Sequence, residues 1–124
     1  MIIKHHATTE AVKWGNGTSH RLLIEKDGVG YSVTDTVIWA GTSSNLQYRN
    51  HLESCYCISG RGWVVDGDGI RHRIEPGTLY ALDEYDAHTL IADPDQDLRL
   101  ICMFYPALQG DERHRLADPG HSAY

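Results

Sequence analysis

The strongest constraint on this chain is its rhythm. Short runs of alternating apolar and polar residues, rich in β-branched and aromatic side chains, follow one another at 29–39, 45–50, 54–59, 61–66, 70–74, 78–82, 88–92 and 98–105. Gly, Asp and Pro residues punctuate them, and Gly67-Asp68-Gly69 reads as a hairpin turn between two runs. No helical period is sustained between residues 20 and 106. Many short strands with such punctuation predict an all-β sandwich or barrel. With 124 residues the chain is expected to form one domain, residues 1–124. Within it, residues 1–15 are expected to carry a short strand and a turn of helix. Residues 110–124 are polar, contain Pro119-Gly120, and are expected to form a flexible C-terminal lid that orders with ligand.

Charge and cysteine usage then narrow the function classes. A formal charge of −6 with no basic stripe argues against nucleic-acid binding, because phosphate contacts require a basic face. No apolar run approaches the roughly 20 residues of a bilayer span, and the opening residues lack the apolar stretch of a secretion signal. No membrane partner and a cytoplasmic setting are therefore expected. The three cysteines, Cys55, Cys57 and Cys102, make an odd count without framework spacing, which suits free thiols in a reducing compartment. Cys55 and Cys57 are two apart, so on a strand they face one side and read first as small buried thiols.

Two spacings carry chemistry. Gly41, Gln47, Arg49, Glu53 and Gly60 fall without insertion on the frame G-x5-H-x-H-x3-E-x6-G, and Gly77, Asp83, Tyr85 and His88 fall on G-x5-P-x-G-x2-H. These are the two motifs by which cupins are recognised, and the chain resembles a cupin in both, which implies a jelly-roll β-barrel. In that fold, inward-pointing residues of neighbouring strands converge on one metal. Gln47 and Arg49 replace the two clustered histidines, while Glu53 and His88 remain as ligands. Two ligands rarely hold a catalytic ion, and Tyr80 is the best third candidate, two residues before an inward-facing Leu82. A carboxylate, an imidazole and a phenolate form a hard, oxygen-rich set that favours Fe(II), with other divalent metals open.

The resemblance narrows further. The block Asn50-His51-Leu52-Glu53-Ser54-Cys55-Tyr56-Cys57-Ile58 and the block Pro76-Gly77-Thr78-Leu79-Tyr80-Ala81-Leu82-Asp83 are similar to those of the ectoine synthases. So are the runs 18–23, 26–28, 35–42 and 97–102, in the family's order. This resemblance implies a lyase that closes N-γ-acetyl-2,4-diaminobutyrate to ectoine with loss of water. Ectoine is a compatible solute, which implies a role in osmotic stress. It also implies iron held by Glu53, Tyr80 and His88, a homodimer, and substrate contacts at Arg21, Thr36, Tyr48, Cys102, Phe104, Glu112 and His114. Closing the ring needs a base for the attacking amine and a proton for the departing oxygen. Glu112 or Tyr48 is expected to be the base and His114 to assist loss of water. Gly17 stands where the family has a tryptophan, with Trp14 three residues earlier, and Val33, Thr34, Gln47 and Tyr85 also depart from the family's residues. Two other readings stay open at this point: a non-catalytic cupin that binds ectoine or a similar zwitterion, and a related cyclase with a different amide substrate.

Overall fold

The structure, a computed structural model, describes residues 1–113. Ten strands build it: β1 (Ala11–Lys13), β2 (Gly17–Leu23), β3 (Ser32–Ile38), β4 (Ser43–Leu46), β5 (Leu52–Ser59), β6 (Gly62–Val65), β7 (Arg71–Ile74), β8 (Leu79–Leu82), β9 (His88–Ala92) and β10 (Leu98–Tyr105). They form a six-stranded sheet in the order β1-β2-β3-β10-β5-β8 and a four-stranded sheet in the order β4-β9-β6-β7. The pairings are antiparallel. This is the two-sheet jelly roll that the motif spacing predicts. Among the described residues, no helix is long and apolar enough to cross a membrane.

Alternation along each strand decides which side chains meet inside. On β10 the buried residues Leu98, Leu100, Cys102 and Phe104 alternate with more exposed ones, and on β9 His88, Leu90 and Ala92 do the same. Ile38, Leu46, Val64, Ile74 and Leu82 complete the apolar core from other strands. Full burial of each large aliphatic side chain contributes about 1.5–3 kcal/mol. Polar residues share this interior. Glu53 alternates inward with Cys55 and Cys57 on β5, so the strand carries a carboxylate into the barrel at the same period that packs the thiols.

Two elements differ from the sequence pattern. β2 has no apolar alternation because its buried positions are Ser19 and Arg21, so hydropathy gives no strand signal there. The strand expected over 45–50 ends at Leu46, and the chain then leaves the sheet with Tyr48 buried and Arg49 exposed. The N-terminal segment holds a short 3-10 turn at His6–Thr8 followed by β1. The expected lid falls mostly on residues 114–124, outside the described residues. Its first part, residues 110–113, has no regular structure, yet Glu112 is buried.

The motif glycine Gly60 has a steric reason. Its φ is +78°, and an added Cβ would lie 2.2 Å from the Asp97 carbonyl oxygen. Only glycine adopts this backbone and admits that approach without displacement.

On the outer face of the larger sheet, a charged cluster pins the N-terminal segment. Buried Asp35 accepts hydrogen bonds from Arg99 Nε at 2.8 Å, and His6 Nδ1 lies 3.0 Å from its second oxygen. The His6 ring stacks on His20 at 3.8 Å between centroids, and His20 Nδ1 lies 2.8 Å from the Thr9 carbonyl. The Arg99 guanidinium, against the opposing cost of burial, holds the Asp35 carboxyl below its ordinary value of 3.8. A depressed folded-state value means stabilisation present above that pH and lost as pH falls through the folded value. Asp35→Asn is therefore expected to cost about 1–3 kcal/mol at pH 7. Urea unfolding of both proteins should show the gap shrinking below about pH 3.5.

Candidate active site

The antiparallel register assembles the site. Cys55 on β5 pairs with Tyr80 on β8 and with Cys102 on β10; Cys102 in turn pairs with Thr34 on β3. One step along, Glu53 pairs with Leu82 and Phe104. Thr36 pairs with Ser19 on β2 and with Leu100 on β10. Cross-strand neighbours share a face, so these side chains, Leu82 apart, line one cavity. Trp14, Leu46 and Leu90 close it with apolar surface, and Tyr48 caps it from the loop after β4. Tyr48 packs edge-on against Phe104 at 5.4 Å and 84° and lies 5.7 Å from the His88 ring.

Electrostatics inside this cavity are unusual. Glu53 is only 5% exposed. Burial raises its carboxyl to about 8, although hydrogen bonds from Cys55, Cys102 and Tyr48 pull the other way. Tyr80 and Cys55 are likewise pushed well above their ordinary values, first by burial, and the nearby Glu53 charge adds to the shift of both. Cys102 is raised too: a hydrogen bond from Cys55 lowers it, but burial and the Glu53 charge prevail. Several acidic groups thus share one enclosure with no cationic side chain among its walls in the described residues. Such a set favours its protonated forms until a positive charge enters.

His88 adds a second sign of the same need. Its Nδ1 lies 2.9 Å from the Asp86 carbonyl, which can only accept, so Nδ1 carries the proton. Nε2 then presents a bare lone pair, and among the described residues it is buried without a hydrogen-bond partner. Burial also lowers the ring's pKa, which keeps the imidazole neutral. A backbone-anchored Nδ1–H and a free Nε2 is the arrangement of a metal-ligating histidine. The residues present therefore fit a cation. Tyr80 lines both the central cavity and the adjoining groove in which His88, Leu82 and Asp86 lie.

The other expected residues separate into two groups. Thr36, Tyr48, Cys102 and Phe104 are walls of the cavity. Arg21 and Glu112 are buried behind it: Arg21 Nη2 donates to the Glu112 carbonyl at 2.8 Å, and Nη1 lies 3.6 Å from its carboxylate. Arg21 touches a cavity wall through Ser19, whose hydroxyl accepts from Nε at 3.2 Å. Glu112 also accepts from the backbone N–H groups of Gln109 and Gly110 at 2.8 and 2.9 Å. Burial raises its carboxyl, but these N–H groups and Arg21 outweigh that and leave it below its ordinary value. A carboxylate so committed is a weak base. His114 lies outside the described residues.

Position by position, the rest of the motif frame is structural. Gln47 donates to the Tyr85 carbonyl at 3.1 Å, joining the two motifs, and Arg49 faces solvent; neither lines the cavity. Thr34, one of the positions that depart from the family's residues, is a wall, whereas Val33 and Gln47 are not. Sequence reasoning missed Ser19 and Cys55 as walls. Period 2 from Glu53 would have found Cys55; Ser19 carries no such signal. Trp14 is 4% exposed and forms a wall, with its indole N–H 3.4 Å from the Val37 carbonyl. A Cβ at Gly17 would lie 1.8 Å from that same carbonyl oxygen and 3.0 Å from the indole nitrogen. The absence of a side chain at 17 and the aromatic at 14 are two halves of one packing solution.

Comparison with known proteins places this geometry. A profile of the ectoine synthase family matches residues 1–120. The chain belongs to the ectoine synthase family. The L-ectoine synthase of Halalkalibacterium halodurans is 49% identical over 108 residues, covering 86% of this chain and 82% of that protein. The crystal structure of ectoine synthase from P. lautus superposes with a TM-score of 0.83 at 39% identity, covering 89% of this chain and 81% of that one. An RmlC-like cupin from Shewanella frigidimarina shares the fold alone, with a TM-score of 0.70 at 18% identity over 84% of this chain and 89% of that one.

Two outcomes follow from the site. Gly17→Ala must displace the Val37 backbone or the indole, and its unfolding midpoint should correspond to a loss of about 1–3 kcal/mol. Glu53 should also shape the pH dependence of metal-stripped protein. Its folded value is raised, so its stability contribution is present below about 4.5 and is lost as pH rises through about 8. Urea unfolding across that window should show the slope in wild type and its absence in Glu53→Gln.

Proposed function

We propose that this chain is an ectoine synthase: a hydro-lyase that closes N-γ-acetyl-2,4-diaminobutyrate to ectoine with loss of water. Family membership supports the reaction. The observation that carries the site reading is a buried carboxylate, Glu53, sharing its enclosure with Tyr80, which also lines the groove of His88, whose Nε2 is buried without a partner among the described residues. In this reading Glu53, Tyr80 and His88 hold a divalent cation, Fe(II) by the hardness of the donors. When bound, it supplies Lewis acidity toward the substrate's acetamide carbonyl, a poor electrophile otherwise.

The protein's own side chains do the rest. Attack of the α-amine on the acetamide carbon closes a six-membered ring, so the reaction is already intramolecular. What remains is to fold the flexible substrate into near-attack geometry. Trp14, Phe104, Leu46 and Leu90 form a rigid apolar mould for its methylene groups and exclude water. Ser19, Thr34 and Thr36 offer hydroxyls along one wall, where a carboxylate and an amine can be oriented by hydrogen bonds. Tyr48 touches Glu53 and faces the cavity, which suits it to relay the proton the amine loses as the C–N bond forms. That proton and a second one leave with the carbonyl oxygen as water.

Arg21 and Glu112 act in this reading by positioning. Their mutual pair fixes Ser19 and anchors residues 109–112 against the barrel. Glu112 is the weaker candidate for the base, and His114 keeps its proposed part in water loss from the sequence alone. The outer face of the larger sheet exposes Tyr56, Leu79 and Tyr105, which supports pairing with a second copy of the chain. Free thiols at all three cysteines suit the reducing cytoplasm, and an osmotic role follows from the product.

Purified protein with Fe(II) and the acetylated diamine is expected to release a cyclic amidine, detected by mass spectrometry. Glu53→Ala, Tyr80→Phe and His88→Ala should each lower kcat about 10²-fold or more. Binding of substrate by wild type without any product would replace this reading with a solute-binding cupin. Glu112→Gln should lower turnover far less than Tyr48→Phe; the reverse order would return the base to Glu112.

A further inference from the structure

A second set of donors converges inside the barrel, distinct from the oxygen and nitrogen set assigned above. Among the described residues, one group of three metal-capable side chains has ligand atoms all within 4.8 Å of one another: Glu53, Cys55 and Cys102. All three are buried, at 5%, 1% and 3% exposure. The two sulfurs come from directly paired residues of β5 and β10, so the sheet itself fixes their separation. The Tyr80 hydroxyl hydrogen-bonds Cys55 and stands as a fourth donor beside the group. His88 is not among the three.

We propose that Glu53, Cys55 and Cys102 form a thiolate site for a soft divalent cation, Zn(II) or Cd(II), seated toward β10 and away from His88. Metal–sulfur bonds of about 2.3 Å in a tetrahedral site place two sulfurs about 3.8 Å apart, so donors already within 4.8 Å need move little. Each thiol releases its proton to solvent as its bond to the metal forms, and Glu53 contributes an oxygen. Two sulfurs and one carboxylate suit Zn(II) far better than Fe(II), which prefers the harder partners. One cavity then holds two coordination modes that share Glu53, and a soft metal displaces a hard one by moving toward sulfur. Thiolate ligation needs only the cavity and stands apart from the cyclisation reaction.

The test is X-ray absorption at the zinc edge on full-length, metal-stripped wild-type protein loaded with one equivalent of Zn(II). Two sulfur neighbours at about 2.3 Å are expected, beside oxygen at about 2.0–2.2 Å. Cys55→Ser and Cys102→Ser should each remove one sulfur and weaken Zn(II) binding at least 10-fold in competition with a chromophoric chelator. His88→Ala should leave the sulfur neighbours in place. A wild-type spectrum with only oxygen and nitrogen neighbours overturns the proposal, as does sulfur scattering that survives in the Cys55→Ser, Cys102→Ser double variant. Failure of the cyclisation assay with Fe(II) would leave these spectra unchanged, so the two readings fail separately.

Discussion

A carboxylate inside a β-barrel is an electrostatic debt on the whole fold. Desolvation of an ion is costly enough that the group takes up a proton or finds a counter-charge. At Glu53 no lysine or arginine of the described residues lines the enclosure; its neighbours are thiols and phenols that resist ionisation for the same reason it does. Everything else in the site can be understood as a response. The aliphatic and aromatic walls keep water from relieving the penalty, and the strand pairings hold several weak acids together. The His88 ring is held neutral with its lone pair exposed to the interior. The fold gathers weak acids that stay protonated until a positive charge enters.

The division between what could be read from the sequence and what could not follows from the physics of strands. β10 and β9 bury one face of apolar residues, so their period is visible. β2 is just as regular but turns Ser19 and Arg21 inward, and a scale that counts only apolar residues misses it. Glu53 and Tyr80 were legible as inward-facing because fixed spacing between turns decides which side of a strand a residue takes, and His88 as a buried residue of β9 for the same reason. Cys55 was legible as buried but not as part of the site, since nothing local distinguishes a packing thiol from one aimed at a carboxylate. Arg21 and Glu112 share the opposite difficulty. The family likeness marks them as functional, while only the three-dimensional arrangement reveals that they bond to each other behind the wall.

The pair of positions 14 and 17 illustrates how such a wall is packed. The Trp14 ring is bulky enough that it requires a matching void, and Gly17 provides it beside the Val37 carbonyl. The surface presented to the cavity there is aromatic. The two positions act as one unit, and reading either alone misses what it does.

His88 belongs to the four-stranded sheet, whereas Glu53 and Tyr80 belong to the six-stranded one. Any ion gripped by all three becomes a rivet through the sandwich, with its bond lengths dictating how far apart the two layers rest. Packing of side chains tolerates tenths of an ångström that a coordination sphere does not. The spacing of the layers, and with it the width of the cavity around the organic ligand, is in that case set by the radius of a single atom.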